Sequence, residues 1–249
     1  MKNLIIICSV FMIFSCKVSK YKGDSKPVSH KIWDTLLQSH VDGEGFVDYK
    51  GFISDSSKLN QYLELLSRNH PNDKYWSDND QLAYWINAYN AFTIKLIVDN
   101  YPVQSIKDIK PGVSFVNSVW DIKFITIEKR TYDLNNIEHG IIRKQFDEPR
   151  IHFAVNCASI SCPSLSPYAY TAENLNAQLS SAAKTFINNN SKNNIAENNI
   201  EISSIFKWFS GDFTREGTII EFLNKYSNKN IDPEAKISYK AYNWDLNER

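Results

Sequence analysis

Hydrophobic residues recur along most of the chain at helical spacing, and the longest such segment predicts a buried helix. It runs from Asp78 to Asn100. Its large apolar side chains are Leu82, Trp85, Ile86, Tyr89, Phe92, Ile94, Leu96 and Ile97. They cover nearly every side of the expected helix, and a helix that is apolar all round packs inside a core. Asp78 or Asp80 is expected to cap its start, because an aspartate side chain accepts hydrogen bonds from the first free N–H groups.

The other periodic segments predict a helix-rich α+β fold. Helical spacing recurs over residues 32–37, 57–69, 134–146, 171–188, 205–209 and 219–223. Strands are predicted as a hairpin over 123–127 and 130–134, as a short apolar strand over 150–156, and near the C-terminus over 236–239 and 241–244. Helices outnumber strands and their order is irregular, which favours a small, mainly antiparallel sheet over a doubly wound one. A papain- or transglutaminase-like arrangement is one such fold.

The first residues have the layout of an export signal. Lys2 precedes an apolar run over residues 4–15, which is shorter than the roughly 18–20 apolar residues of a membrane-spanning helix. Residues 13–16, Ile-Phe-Ser-Cys, resemble the bacterial lipobox, so we expect a signal peptide over 1–15 and acylation of Cys16. The alternative is an ordinary cleaved signal with an incidental cysteine. Residues 16–29 are polar and aperiodic, as expected of a tether. The expected location is the cell envelope, with lipid anchoring to the periplasmic or surface face of a bacterial membrane.

The composition narrows the class of function. Residues 30–249 contain no linker-like stretch and are expected to form a single globular domain. The chain is 43% apolar with a formal net charge of zero, so it can build a core but lacks the concentrated positive charge of nucleic-acid binders. The sequence has no glycine-rich phosphate loop and no Gly-x-Ser-x-Gly elbow, and we expect no cofactor. The expected partners are the membrane, through the lipid, and a small-molecule or peptide substrate.

Cys157 and Cys162 are the cysteines left for the domain once Cys8 leaves with the signal and Cys16 is acylated. Three interpretations of the pair stay open. In the first, an oxidising compartment permits a structural disulfide, which would contribute about 2 kcal/mol by closing a short loop. In the second, Cys157 is a nucleophile at the end of a buried strand, activated by a neighbouring imidazole. The third is a metal site with both sulfurs and a histidine, although a spacing of five is unusual for zinc.

His152 and His139 are the candidate bases for such a thiol. On the predicted strand, His152 and Asn156 share one face, whereas Cys157 falls on the other. Contact between His152 and Cys157 is therefore not guaranteed by the pattern.

His139 lies on a predicted helix between two charged residues. Glu138 precedes it and Arg143 follows one turn later, an arrangement that can orient an imidazole and bind a substrate carboxylate. The alternative is an ion pair between Glu138 and Arg143 on the helix surface.

Asn87 and Asn90 are polar positions inside the apolar helix. They are three residues apart and project from the same side. Because an unsatisfied buried polar group costs about 1 to 3 kcal/mol, each carboxamide needs partners. Either both bond the backbone of neighbouring loops, or they line a polar pocket and orient a substrate.

Four motifs resemble one protein family. They are residues 42–49, 84–91 (YWINAYNA), 137–143 (IEHGIIR) and 152–163 (HFAVNCASISCP). In this order they resemble the domain of unknown function 547, from about residue 30 to 242–244. The resemblance implies exported or lipid-anchored bacterial members and fused eukaryotic ones, some joined to glutaredoxin-type modules. It implies no established reaction.

The leading hypothesis is a thiol-dependent hydrolase or acyltransferase acting on peptides, envelope fragments or thiol-containing compounds. Its predicted catalytic residues are Cys157, His139 and His152. Its predicted substrate-binding residues are Asn87, Asn90, Glu138, Arg143 and Asn156, of which Asn87 and Asn90 would be orienting or oxyanion-side donors. The competing hypothesis is a noncatalytic binding or scaffold lipoprotein in which a Cys157–Cys162 disulfide is structural.

Overall fold

The computed structural model describes residues 21–110 and 118–249. The predicted signal peptide and Cys16 lie outside the described residues. The helices are α1 Lys31–His40, α2 Tyr49–Ser54, α3 Ser56–Ser67, α4 Asp78–Asn100, α5 Arg143–Gln145, α6 Leu175–Ile187, α7 Ile205–Trp208, α8 Ser210–Phe213 and α9 Ile219–Asn224. A π-helix, Asn136–Ile142, runs directly into α5. Short 3₁₀-helices are Ile106–Asp108, Val119–Asp121 and Pro149–Phe153.

The strands form two small sheets, and the fold class is α+β as predicted. In the first sheet β1, Ile125–Ile127, pairs antiparallel with β2, Arg130–Tyr132, which confirms the hairpin. The second sheet has the order β3 Asn194–Ile195, β4 Asn199–Ile202, β5 Lys236–Tyr239. Its β3–β4 pair is antiparallel and its β4–β5 pair is parallel. Residues 241–244, predicted as a strand, form an irregular loop instead.

Helix α4 is the central element, and its 23 residues match the predicted span. Its N-cap is Ser77 rather than Asp78 or Asp80. The Ser77 hydroxyl accepts the N–H of Asp80, and the Asp80 carboxylate accepts the N–H of Ser77, which forms a capping box. Helices α2 and α3 and the π-helix pack around α4, so its all-round apolar surface is covered.

Two apolar clusters fill the interior. The first is built around α1 to α4 and the β1–β2 hairpin. The second is formed by α6, the β3–β4 hairpin and α7 to α9. The segment from Pro149 to Pro163 lies where they meet, because Ile151 belongs to the first cluster and Phe153 to the second. No helix within the described ranges is both long and apolar enough to cross a bilayer.

The strand predicted over 150–156 is wrong, because this segment begins as the 3₁₀-helix Pro149–Phe153. Pro149 occupies the first helical turn, and the Glu148 carboxylate accepts the N–H of Arg150. With three residues per turn, Ile151 and Phe153 point in different directions and reach different clusters. The periodicity of a short, fully buried apolar segment does not distinguish a strand from a helix. The prediction that His152 and Cys157 lie on opposite faces of a strand therefore does not apply.

Candidate active site

A cavity of about 200 Å³ opens beside Cys157. Aromatic side chains form much of its wall: Tyr89, Trp120, Trp208, Phe209, Tyr242 and Trp244. Glu138, His139 and His152 also line it. A wider groove of about 700 Å³ runs along α6, but the described residues that line it include no cysteine or histidine. The chemistry-bearing side chains are therefore gathered at the smaller cavity.

The loop that carries Cys157 is held by two buried asparagines. The Asn156 side chain accepts the N–H of Ala158 at 2.8 Å and donates to the carbonyl of Pro163 at 2.7 Å. Asn90 on α4 accepts the N–H of Asn156 and donates to the carbonyl of Ala154, both at 2.9 Å. Ala158 has a φ of 58°, a left-handed conformation that costs a non-glycine residue about 1 kcal/mol or more. These side-chain bonds keep the loop in that shape.

The thiol of Cys157 lies among hydrogen-bond donors. Its Sγ is 3.4 Å from Ser159 Oγ and 3.3 Å from Tyr242 Oη. The backbone N–H of Cys157 donates to Cys162 Sγ at 2.8 Å. Both cysteines are free thiols, so the disulfide of the first interpretation is not formed. In the described part of the chain, no group of three or more His, Cys, Asp or Glu side chains is placed to hold a metal ion.

The two thiols differ in acidity. Burial disfavours the Cys157 thiolate, but hydrogen bonds from Cys162, Ser159 and Tyr242 outweigh burial and lower the pKa of Cys157. Burial raises the pKa of Cys162 well above its ordinary value, and the neighbouring Cys157 adds to that shift. Burial and the two sulfurs raise the pKa of Tyr242, so its hydroxyl stays protonated and can donate. Cys157 is thus the sulfur that ionises first.

His152 lines the same cavity and is oriented by Asp212. Its Nε2 lies 2.8 Å from Asp212 Oδ2, which assigns the ring proton to Nε2 and leaves Nδ1 as an acceptor. Nδ1 is buried without a hydrogen-bond partner, and the ring stacks on Phe209 at 4.0 Å. Burial lowers the pKa of His152, although Asp212 opposes the shift. The imidazole is therefore neutral near pH 7 and able to take a proton.

Asp212 is fixed by two arginines. Arg143 Nε donates to Asp212 Oδ2 at 2.5 Å, and Arg215 Nη2 lies 3.0 Å from Oδ1. Burial favours the protonated carboxyl, but hydrogen bonds from His152 and Arg143 hold the pKa of Asp212 well below its usual range. The carboxylate therefore remains ionised beside His152.

Arg143 therefore pairs with Asp212, and the predicted surface ion pair with Glu138 is not formed. Its Nη1 also lies 3.1 Å from Nδ1 of His139, whose side chain is 43% exposed. Glu138 is buried, with a carboxylate oxygen 3.9 Å from the same Nδ1. Arg143 is thus placed to position Asp212, while Glu138 supplies a carboxylate to the cavity wall.

Residues 74–187 match the family model described as Protein of unknown function, DUF547. This segment is similar to the DUF547 family. It contains α4, the π-helix, the 3₁₀-helix Pro149–Phe153 and the loop with both cysteines. No curated protein matches the chain, and no solved structure matches it.

Asn87, in the DUF547 segment, lies away from the cavity. Its side chain donates to the carbonyl of Tyr170 at 2.7 Å and accepts the N–H of the same residue at 3.0 Å. Asn90 likewise bonds the backbone at Ala154 and Asn156. The side chains of Asn87 and Asn90 thus bond the backbone of neighbouring loops, which is the first of the two predicted alternatives. Asn156 does the same within its own loop.

Three residues of the site were not singled out by the sequence. Ser159 lies within a quoted motif and Tyr242 lies at the end of the resemblance, but neither is a residue type that alone indicates a thiol partner. Asp212 follows a glycine in a short helical stretch and carries no local signal. It reaches His152 from 60 positions away, and Tyr242 and Asp212 both lie beyond the DUF547 segment.

Proposed function

We propose that the protein is a cysteine-dependent hydrolase or acyltransferase with Cys157 as nucleophile and His152 as base. The observation that carries this proposal is that a free, acidified thiol and a buried imidazole nitrogen without a partner belong to one cavity. A strongly perturbed titratable group in a cleft is a candidate for catalysis. His139, half-exposed and bonded to Arg143, is the weaker candidate base.

The reaction would begin with transfer of the Cys157 proton to Nδ1 of His152 through a bridging water, because Nδ1 has no hydrogen-bond partner among the described residues. The thiolate attacks the carbonyl carbon of an ester, thioester or amide, and the carbonyl electron pair moves to oxygen. The imidazolium, stabilised by Asp212, then protonates the leaving group as its bond to carbon breaks. Water cleaves the acyl-enzyme in a hydrolase, and another nucleophile accepts the acyl group in an acyltransferase.

Hydroxyl donors near the sulfur support this chemistry. The hydroxyl groups of Tyr242 and Ser159 lie within 3.4 Å of Cys157 Sγ, close to where the carbonyl oxygen of an attacked substrate gains charge. Donors fixed in advance around a developing oxyanion lower the barrier, because little reorganisation is needed. We assign Tyr242 this role, since its raised pKa keeps the proton available.

The wall of the cavity indicates the kind of substrate. Its aromatic rings favour an apolar or planar group, and the carboxylate of Glu138 favours a donor such as an amine. A peptide-like acyl donor combines both features. We propose peptides, envelope fragments or thiol-containing compounds as the substrate class. The protein would meet them as a lipoprotein anchored through Cys16 at the bacterial envelope.

A panel of ester, thioester and amide substrates tests the proposal. The wild-type protein is expected to turn over at least one substrate class and to carry an acyl group on Cys157, detectable by mass spectrometry. Cys157→Ala is expected to lose both turnover and adduct. Full activity in Cys157→Ala would overturn the proposal.

Cys162→Ala is the matched control. It removes the second thiol of the same loop but leaves the proposed nucleophile, and reduced activity with a persisting adduct is expected. Thermal unfolding of both variants separates chemistry from folding.

A further inference from the structure

Cys157 and Cys162 form an asymmetric pair of thiols within one short loop. Both residues line the cavity, but Cys157 is partly exposed, whereas Cys162 is buried and only 5% exposed. Cys162 Sγ lies 2.8 Å from the backbone nitrogen of Cys157, and the two side chains are hydrogen-bonded. The left-handed Ala158 and the bond from the N–H of Cys162 to the carbonyl of Ser159, at 3.1 Å, turn the loop back so that the Cys162 sulfur lies against the backbone of Cys157.

The proposed acyl-transfer chemistry uses one of these sulfurs. A hydrolase needs Cys157 alone, and Cys162 would only donate a hydrogen bond to it. A serine hydroxyl would donate as well, so this role does not explain a second thiol at that position. A partly exposed cysteine with a lowered pKa beside a buried cysteine with a raised pKa suits a different reaction. The first thiol attacks a disulfide, and the second completes the exchange.

Two lysines flank the pair. Burial lowers the pKa of Lys192, and the charges of Cys162 and Cys157 oppose that shift. The ammonium of Lys192 donates to the carbonyl of Ile160 in the same loop. Lys107 stacks 3.6 Å above the ring of Trp244 in the cavity wall, and the charge of Cys157 likewise acts on it. Positive charge near a thiol favours the thiolate.

We propose that Cys157 and Cys162 are a redox-active pair that exchanges with small disulfides bound in the aromatic cavity. This activity is separate from acyl transfer, because it requires both sulfurs and no carbonyl substrate.

The exchange has two steps. The Cys157 thiolate attacks one sulfur of the substrate disulfide, a mixed disulfide forms, and the second substrate sulfur leaves as a thiolate that takes a proton. The Cys162 thiol then gives its proton to solvent and attacks Cys157 Sγ. The substrate's remaining sulfur leaves as a thiol, and the Cys157–Cys162 disulfide has formed. The substrate disulfide has gained two electrons and the pair has lost two, so a thiol can return the pair to its reduced state by the reverse reaction.

The full-length protein in glutathione buffers of graded redox ratio provides the test. After acid quenching and alkylation, mass spectrometry reports the oxidation state of each cysteine. We expect a reversible Cys157–Cys162 disulfide in the wild-type protein. In Cys162→Ser the second step cannot occur, and glutathione is expected to accumulate on Cys157. Cys157→Ser is expected to form neither species.

The outcomes that would overturn the proposal are specific. One is a pair that remains two thiols in excess glutathione disulfide. Another is a mixed disulfide on wild-type Cys157 that persists as long as in Cys162→Ser. Circular dichroism shows whether each variant is folded, and the rate of Cys157 alkylation in Cys162→Ser shows whether its thiol is still reachable.

The two proposals fail independently. Cys162→Ser, like Cys162→Ala, is expected to keep measurable acyl transfer at a reduced rate, while it loses disulfide formation. Exchange without turnover of any ester, thioester or amide would count against the hydrolase alone, and turnover with an inert thiol pair would count against the redox activity alone.

Discussion

The hydroxyl oxygen of Tyr242 lies 3.3 Å from the sulfur of Cys157, although 85 positions separate the two residues in the chain. Cys157 lies in the DUF547 segment, whereas Tyr242 comes from the loop that follows β5. The same loop brings Trp244 to the cavity wall. The surroundings of the cysteine are thus completed by chain that folds back from near the C-terminus.

Tyr242→Phe is expected to raise the pKa of Cys157, because it removes a hydrogen bond that favours the thiolate and such bonds to charged groups are worth about 1.5–3 kcal/mol. The pH dependence of iodoacetamide alkylation at Cys157 measures the shift. Tyr239→Phe, a change of the same kind on β5, is the control and should leave the profile in place. An unchanged profile in Tyr242→Phe would show that the hydroxyl does not stabilise the thiolate.

Asp212→Asn is expected to reduce kcat/KM of the proposed hydrolase on the order of 1,000-fold, because the amide no longer stabilises an imidazolium at His152. The pKa of His152 should fall further, since the carboxylate that raises it has gone. Steady-state kinetics and the NMR titration of the ring measure both effects.

Asp147→Asn is the control for that change. Asp147 is a largely exposed carboxylate that pairs with Arg215, the same arginine that contacts Asp212. Its removal is expected to leave kcat/KM within about twofold, as for most surface substitutions. An equal loss of kcat/KM in the two variants would mean that the effect comes from the disturbed Arg215 and not from the bond between Asp212 and His152.

The stability of the protein is expected to fall between pH 6.5 and pH 4 because of His70. Burial lowers the pKa of His70 to about 4, whereas the unfolded ring titrates near 6.5. The unfolded state therefore binds more protons in this window, and folding stability is fully present above it and lost as the pH drops. The loss amounts to about 3 kcal/mol.

Urea unfolding of the wild type and His70→Gln at several pH values tests this expectation. Both nitrogens of His70 are hydrogen-bonded, to the carbonyl of Pro71 and the hydroxyl of Tyr132, each at 2.7 Å. The variant should therefore be less stable at pH 7, but its free energy of unfolding should change less with pH. Asn198→Ala, at an exposed position without a titratable side chain, should keep the wild-type slope. A His70→Gln protein with the full wild-type slope would refute the assignment.

Asn87→Ala is expected to destabilise the fold by about 2–4 kcal/mol, because it leaves the buried N–H and carbonyl of Tyr170 without partners. Chemical denaturation measures the loss, and the exposed Asn198→Ala provides the baseline for an asparagine change. If Asn87 instead served the substrate, activity would fall with little change in stability.

The sequence predicts most reliably the helices and strands that depend on contacts between residues close together in the chain. The span Asp78–Asn100 follows from an apolar pattern that any long buried helix repeats, and the β1–β2 hairpin follows from alternation around a short turn. The apolar residues within 150–156 predict a buried strand, yet Ile151 and Phe153 are buried in different clusters. In so short a segment, an apolar residue type predicts that a side chain is buried, but not against which part of the core.

The site was predictable in part for the same reason. Cys157 and His152 are chemically distinctive residue types in one short stretch, so sequence alone suggested both as candidates. Asp212 and Tyr242 reach them only through the tertiary fold, and an aspartate or tyrosine is common on any surface. The π-helix likewise left no signal that separates it from ordinary helical spacing.

The boundary between the two apolar clusters passes between the proposed reacting groups. Ala158, beside Cys157, is packed in the first cluster, whereas Phe213, beside Asp212, is packed in the second. His152 lies between Ile151 and Phe153, one anchored in each. A small displacement of one cluster relative to the other would therefore change the distance between the Cys157 sulfur and the His152 ring. The alignment of these two groups thus depends on how the two clusters pack against each other.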